Sequence, residues 1–222
     1  MGTYDHLSWR DLRDGPWFGA MPLLTAVASV TSRAMVGPIV ASPNFRHPVP
    51  FAKELLTAAD ISEGRFVCGI GAGGVGWDAT VLGRPAWPRA ERTARFEEFT
   101  ALLHSLLSGS PSTTSVGTYY SASEAMMLPT QPAPVPLAIA ATGPRGLIPG
   151  VRRPGVIPVR SVGCCSPVPT SEPWLASEES FLDLVHKYAA IGITDIVIHA
   201  PSAEPPHVAD PLVFDHIIGL VA

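Results

Sequence analysis

The sequence predicts a parallel α/β fold, and three segments carry that prediction. Arg65-Phe-Val-Cys-Gly-Ile-Gly-Ala-Gly73 is a short apolar run ending in bare backbone, Met35 to Ser42 runs into Pro43-Asn-Phe-Arg-His47, and Pro136 to Ala141 runs into Thr142-Gly-Pro-Arg-Gly146. A short apolar run closed by turn residues reads as a buried strand. A helical pattern is expected after each, and strand, turn and helix in repetition mark a parallel sheet with helical crossovers. Ligands in such folds sit at the carboxyl ends of the strands, where these turns lie.

Taken in order, Thr3 to His6 reads as the end of a strand. Trp17 to Thr31 has helical spacing of small and apolar residues and leads to the strand Met35–Ser42. Pro48 to Ala59 is a helix with Pro in its favoured first-turn position, turning Phe51 and Leu55 to the core. Ser62-Glu-Gly64 turns the chain into the strand ending at Gly73, and the stretch from Gly74 to Trp87 reads as irregular. Pro88 to about Leu107 is amphipathic, with Phe96, Phe99, Leu103 and Leu106 forming one apolar stripe. Tyr119 to Leu128 is a loop or short hairpin. Glu178 to Ile191 is a helix with acidic residues in its first turn, as the helix dipole favours. Gly192 stops it, Thr194–His199 is a buried strand, and Asp210–Val221 is a closing helix. Between Ala125 and Ser171 there is no Asp or Glu, and repeated prolines from Pro149 to Pro173 exclude a helix.

A chain of 222 residues with 46% apolar content fits one domain with a substantial core. The net charge of −4, without a basic run, points away from nucleic acid. No apolar stretch reaches the ~20 residues of a membrane span, and Met1-Gly-Thr-Tyr-Asp-His lacks the features of a signal peptide. Cys68 belongs in the core, and the odd count made by the adjacent Cys164-Cys165 fits a reducing cytoplasm. No His pairs at ligand spacing with a His, Cys or carboxylate, so no metal site is expected. No G-x-S-x-G elbow supports serine hydrolysis. Gly69 to Gly74 satisfies G-x-G-x-x-G, but that dinucleotide fingerprint needs a helix at once, and none is expected before Pro88.

Gly69, Gly71 and Gly73 leave room for a planar ring on the strand end. Thr142, Gly143 and Arg145 offer backbone N–H groups, a hydroxyl and a guanidinium, a combination that holds phosphate. Arg46 and His47 either line a pocket or terminate a strand. His6, followed by Leu7-Ser-Trp9, is either a surface residue or a proton-handling one, since imidazole titrates near neutrality.

These motifs together resemble the luciferase-like family of flavin- and deazaflavin-dependent oxidoreductases. The matching residues are Tyr4-Asp-His6, Val40 to Pro48, Ala52-Lys-Glu54, Ile61 to Gly73, Arg95-Phe-Glu-Glu-Phe99 and Ala140-Ala-Thr-Gly-Pro144. The resemblance implies a TIM-barrel (β/α)8 fold and reduced coenzyme F420 or FMN as cofactor, acting on a small organic substrate as oxidoreductase or monooxygenase. The alternative is an inactive relative that binds flavin or a partner. By the same resemblance His6 lies by the cofactor ring, Asp5 orients His6, bonds the ring edge or caps the following turn, and Ile39, Val40 and Ser42 stand behind the ring. Relatives often carry a bulge or non-prolyl cis peptide at the place of Ile39-Val40. Thr142, Gly143 and Arg145 fall where the family holds the cofactor phosphate, and Trp9, Arg46 and His47 fall by the substrate pocket. Where some relatives place a carboxylate acid directly after the Gly-rich strand, this chain has Gly74, so a sugar-phosphate dehydrogenase of that type is not expected.

The resemblance covers residues 3–147 and 180–199 of one domain spanning 1–222, and leaves 148–177 as an irregular Pro-rich segment. Its acid-free composition reads as an out-of-frame stretch or a deletion. Relative to the family, a first strand and about two later strand–helix units are missing. An incomplete barrel leaves strand edges open, which implies a homodimer through those edges.

Overall fold

The structure, a computed structural model, describes residues 1–8, 15–74, 77–129, 135–140, 156–159, 177–189, 212, 215 and 216. The chain divides into two compact units, Met1–Ala140 with Arg145–Pro158, and Ala141–Pro144 with Val159–Ala222. The elements in order are β1 (Gly2–Thr3), α1 (Ala20–Val30), β2 (Gly37–Pro38), a 3-10 turn (Pro43–Phe45), α2 (Pro48–Ile61), β3 (Cys68–Gly71), α3 (Trp77–Val81), α4 (Arg89–Leu106), β4 (Thr113–Ser115), β5 (Ala122–Ala125), β6 (Leu137–Ala140), β7 (Val156–Val159) and α5 (Glu178–Ala189). Of these, α5 lies wholly in the second unit. The expected strand Thr194–His199, most of the closing helix and the pair Cys164-Cys165 lie outside the described residues.

In the first unit the strands pair in chain order. β1 runs parallel to β2 with Gly2 opposite Gly37. Val36 and Ala41 bridge in parallel to Phe66 and Ile70. β3 runs parallel to β6 with Cys68 opposite Leu137, and β7 lies beside β6. Doubly wound sheets reverse their strand order at a switch point. A parallel run without reversal, with helices on its crossovers, is instead the order along a barrel wall.

The helices form because their apolar faces meet this wall. Phe51, Leu55 and Leu56 of α2 and Phe96, Phe99, Leu103 and Leu106 of α4 are all buried, as their spacing predicts. Phe99 packs between Phe51 and Tyr120, with ring centroids 6.1 and 5.4 Å away. Cys68 is fully buried, and burial pushes its thiol far above the ordinary range, which suits a core residue and not a nucleophile.

Three segments differ from the sequence reading. The ladder of Met35–Ser42 is reduced to Gly37–Pro38 with single bridges on either side, since Pro38 has no N–H to offer. The peptide bond between Ile39 and Val40 in this segment is cis. The short helix α3 falls inside the stretch read as irregular. The loop-or-hairpin stretch is a true antiparallel hairpin, β4 with β5, and begins earlier than expected.

Arg65, between α2 and β3, ties these layers together. Its guanidinium donates to the carbonyls of Ala28 and Thr31 at the end of α1 and to Ala34 O, at 3.1, 2.7 and 2.9 Å. Those helix-end carbonyls have no partner within the helix, and a cation suits them. Replacing Arg65 by Met is expected to lower stability by about 2 kcal/mol, read as a shift of the urea midpoint at unchanged slope.

Candidate functional site

Two adjacent residues after β1, Asp5 and His6, are each fixed by a residue from a later element. Asp5 is 2% exposed. Arg46 grips it with two donors, Nη2 to Oδ1 at 2.6 Å and Nε to Oδ2 at 3.0 Å, and the Ser42 N–H reaches Oδ2 at 3.3 Å. Arg46 is held in turn by Glu54 and by stacking over Phe45 and Phe51. Asp5 thus sits inside a buried ion pair with its bonds running to Arg46 and Ser42, while the orientation of His6 depends on another residue.

That role belongs to Asp78, on α3, which the sequence reading missed. His6 Nδ1 lies 2.8 Å from Asp78 Oδ2, while Leu7 N and Ser8 N donate to Asp78 Oδ1 at 2.7 and 3.3 Å. Burial pushes the Asp78 carboxyl up, but the bonds from His6, Leu7 and Ser8 outweigh it and hold the group below the usual carboxylate range. An anionic Asp78 against Nδ1 fixes the imidazole in the tautomer with its proton on Nδ1. The His6 side chain keeps 21% of its surface exposed and the Asp78 side chain 9%, so the imidazole is the more exposed member of the pair.

The glycines in and just after β3 lie close against neighbouring chain. A Cβ on Gly69 would stand 2.7 Å from Pro38 O and 3.0 Å from the Ile39 side chain, and one on Gly71 would press on Val40 at 3.0 Å. The room they leave is filled by the adjacent segment Pro38–Val40, whose Ile39 and Val40 remain half-buried. Gly73, at φ +70°, is in the left-handed region, and a side chain there would run into the Asn44 amide. Next to it, a Cβ on Gly74 would meet nothing within 4 Å among the described residues.

Ser42 is buried, and its Oγ accepts from Asn44 N at 3.3 Å to start the 3-10 turn. His47 caps α2, its Nδ1 accepting from Val49 N at 3.2 Å, and its ring meets Tyr120 edge-on. Besides this cap it borders a lateral groove of about 560 Å³ between α2 and β5. The turn before β5 is pinned by Glu98, which accepts the N–H groups of Thr118, Tyr119 and Tyr120 at 3.1, 2.8 and 2.6 Å. Against the upward effect of its desolvation, those bonds hold Glu98 below the usual carboxylate range. Trp9, Thr142, Gly143 and Arg145 lie outside the described residues.

The strand-end face thus includes the imidazole bonded to Asp78, the half-buried residues Ile39 and Val40, and Gly73 and Gly74. Beside Gly73 the buried Asn44 Oδ1 has no hydrogen-bond partner among the described residues. Bare backbone, one orphaned acceptor and an imidazole fit a planar heterocycle with polar edges. Among the described residues no cluster of His, Cys, Asp or Glu could hold a metal ion, and no helix is long and apolar enough to cross a membrane.

Comparison with known proteins identifies the family and the fold. Residues 3–152 match the family described as luciferase-like monooxygenase. An F420-dependent glucose-6-phosphate dehydrogenase from Beutenbergia cavernae is 40% identical over 143 residues, covering 63% of this chain and 41% of that protein. The chain spans about two fifths of the length of the curated relatives it matches. Among solved structures, the F420-dependent tetrahydromethanopterin reductase from Methanopyrus kandleri is 26% identical with a TM-score of 0.51, over 59% of this chain and 41% of that one. A monooxygenase from Streptomyces bottropensis shares the fold at 21% identity and a TM-score of 0.62, over 87% of this chain and 56% of that one.

Proposed function

Because the chain belongs to the luciferase-like monooxygenase family, we propose that it is an oxidoreductase that uses coenzyme F420, or failing that FMN, on a small organic substrate. The observation that carries this reading is His6, held by Asp78 at the strand ends beside the half-buried Ile39 and Val40. The names of the relatives favour F420 over FMN. Bound there, the cofactor would supply hydride or oxygen chemistry, as cofactors do in such enzymes. The chain's own part is to hold and orient. Ile39, Val40, Gly73 and Gly74 would face the ring system, and Asn44 Oδ1 would accept from a polar edge of it. His6, with Nδ1–H directed to Asp78, is positioned to take or give a proton at Nε2. Phosphate binding by Thr142, Gly143 and Arg145, a substrate wall including Trp9, a dimer through strand edges and a cytoplasmic location belong to the same reading.

A second reading, a protein that binds the cofactor without turnover, is favoured by Gly74, which offers no acid after the Gly-rich strand. Titration of the purified chain with F420 and separately with FMN, followed by Trp fluorescence, tests both. Saturable binding of one is expected, and reduction or oxidation of the bound cofactor by a substrate panel separates enzyme from binder. Folded protein that binds neither would overturn both readings.

A further inference from the structure

Asp78 is carried by a helix too short to be stable by itself. α3 has five residues, well under the roughly 12–15 at which an isolated helix becomes marginal in water, and Asp78 is its one buried residue. Trp77 and Val81 are 38% and 58% exposed, so core packing does little to hold the segment. Its place in the fold depends on what ties its two ends.

One end is tied through Asp78, whose carboxylate accepts from Leu7 N and Ser8 N and meets His6 Nδ1. The other end closes in a Schellman turn. Arg84 N donates to Ala79 O at 3.0 Å and Gly83 N to Thr80 O at 2.9 Å, with Gly83 in the left-handed region at φ +70°. Arg84, which completes this turn, also reaches outward with its side chain. The guanidinium Cζ lies 3.8 Å from the centre of the Trp87 ring, and Nη2 donates to the carbonyl of Asn44 in the 3-10 turn.

Trp87 is itself anchored to α4, an 18-residue helix with a buried apolar stripe. Arg92 donates to Trp87 O at 2.9 Å, and the Arg95 Cζ lies 3.9 Å from the Trp87 ring while its Nη2 is bonded to Glu91 at 2.7 Å. A chain of contacts thus runs from α4 through Trp87 and Arg84 to α3, and from there through Asp78 to His6. A planar guanidinium stacked on a ring has already lost much of its rotamer freedom, so its bond to Asn44 O costs little further entropy.

We infer that Arg84 is a positioning residue for the His6–Asp78 pair. Stacked on Trp87 and bonded to Asn44, it holds the end of α3 and with it the Asp78 carboxylate, and it ties that carboxylate to the turn that sets the Asn44 amide beside Gly73. The inference rests on the proposed function only in giving the imidazole a use, since the state of the ring can be measured in the ligand-free chain.

Nitrogen-15 spectra of the His6 ring, assigned with His6→Gln and recorded well above the ordinary imidazole pKa of about 6.5, test it. The parent should show the tautomer with its proton on Nδ1. In Arg84→Met the ratio of the Nδ1–H to the Nε2–H form should fall at least ten-fold. Arg65→Met lowers stability away from α3 and should leave the ratio within two-fold of the parent. A ratio within two-fold of the parent in folded Arg84→Met overturns the inference, as does a parent with its proton on Nε2. An equal fall in Arg65→Met also overturns it, because the ratio would then only follow stability. If Arg84→Met does not fold, Trp87→Leu, which removes the ring beneath Arg84, replaces it under the same criterion. A fall in the ratio in a chain that binds neither F420 nor FMN would leave the positioning role standing and overturn the proposed function. An unchanged ratio in a chain that binds one of them would do the opposite.

Discussion

Asp5→Ala should lower the stability of this protein by about 3–5 kcal/mol, the cost of stranding a buried charge whose partner has been removed. Both donors of Arg46 that now reach Asp5, at 2.6 and 3.0 Å, would face a space that water cannot fill freely. Glu54 gives only partial relief, since its single bond to Arg46 is 3.3 Å long and its side chain is half exposed. Arg46 would keep its stacking on Phe45 and Phe51, so the guanidinium could not swing out to solvent without exposing those rings. Removing both charges, in Asp5→Ala with Arg46→Met, should recover part of the loss, because no unpaired ion is then left inside. Urea unfolding of the two single variants and the double variant measures the coupling. A loss below about 1 kcal/mol for Asp5→Ala would mean that the pair is solvated, contrary to its burial.

Asp78→Asn should leave the fold in place and reduce cofactor-dependent turnover by roughly 10²- to 10⁴-fold. The substitution conserves shape but forces a choice. With the amide oxygen toward Leu7 N and Ser8 N, the amide N–H₂ meets His6 Nδ1, which must then accept, and the ring proton moves to Nε2. With the amide reversed, two backbone N–H groups face an N–H₂. The first arrangement puts the ring proton on Nε2, and the second keeps Nδ1–H bonded to the amide oxygen but breaks the bonds that hold residue 78 in place, so either the tautomer or the orientation of the imidazole is lost. Cofactor affinity should change little, because Asp78 is turned to His6. Nitrogen-15 spectra of the His6 ring should show the change of tautomer directly, and unchanged spectra together with unchanged turnover would remove Asp78 from the mechanism.

The same carboxylate makes an acid-side contribution to stability. Its pKa is lowered in the folded chain, so the stabilisation is fully present above the unfolded value of about 3.9 and is lost as pH falls through the lower folded value. Acid unfolding of Asp78→Ala should accordingly depend less steeply on pH below about 4.

What the sequence could reveal depended on the reach of each signal. The stripe of α4 and the inward faces of α2 were legible because a buried helix face repeats within a few residues. His6 was legible as a residue type suited to proton transfer. Its partner was not, because Asp78 stands in a five-residue helix, too short for any periodicity to emerge. The glycines of β3 were legible as marking a close approach, but sequence cannot say whether ligand or backbone makes it, and here the adjacent segment does. Arg46 and His47 read as residues that line a pocket or terminate a strand. In the fold one neutralises a buried acid and the other caps a helix.

The partners of Asp5 and His6 lie 41 and 72 residues further along the chain. During synthesis at about 5–20 residues per second, His6 would precede its carboxylate by roughly 4–15 s. A nascent chain that has exposed residue 46 but not residue 78 holds the partner of Asp5 but not the carboxylate that bonds His6. Synthesis from the N-terminus therefore makes the partner of Asp5 available before the partner of His6. A translational pause between those two points would lengthen the interval in which Asp5 has its partner available and His6 does not.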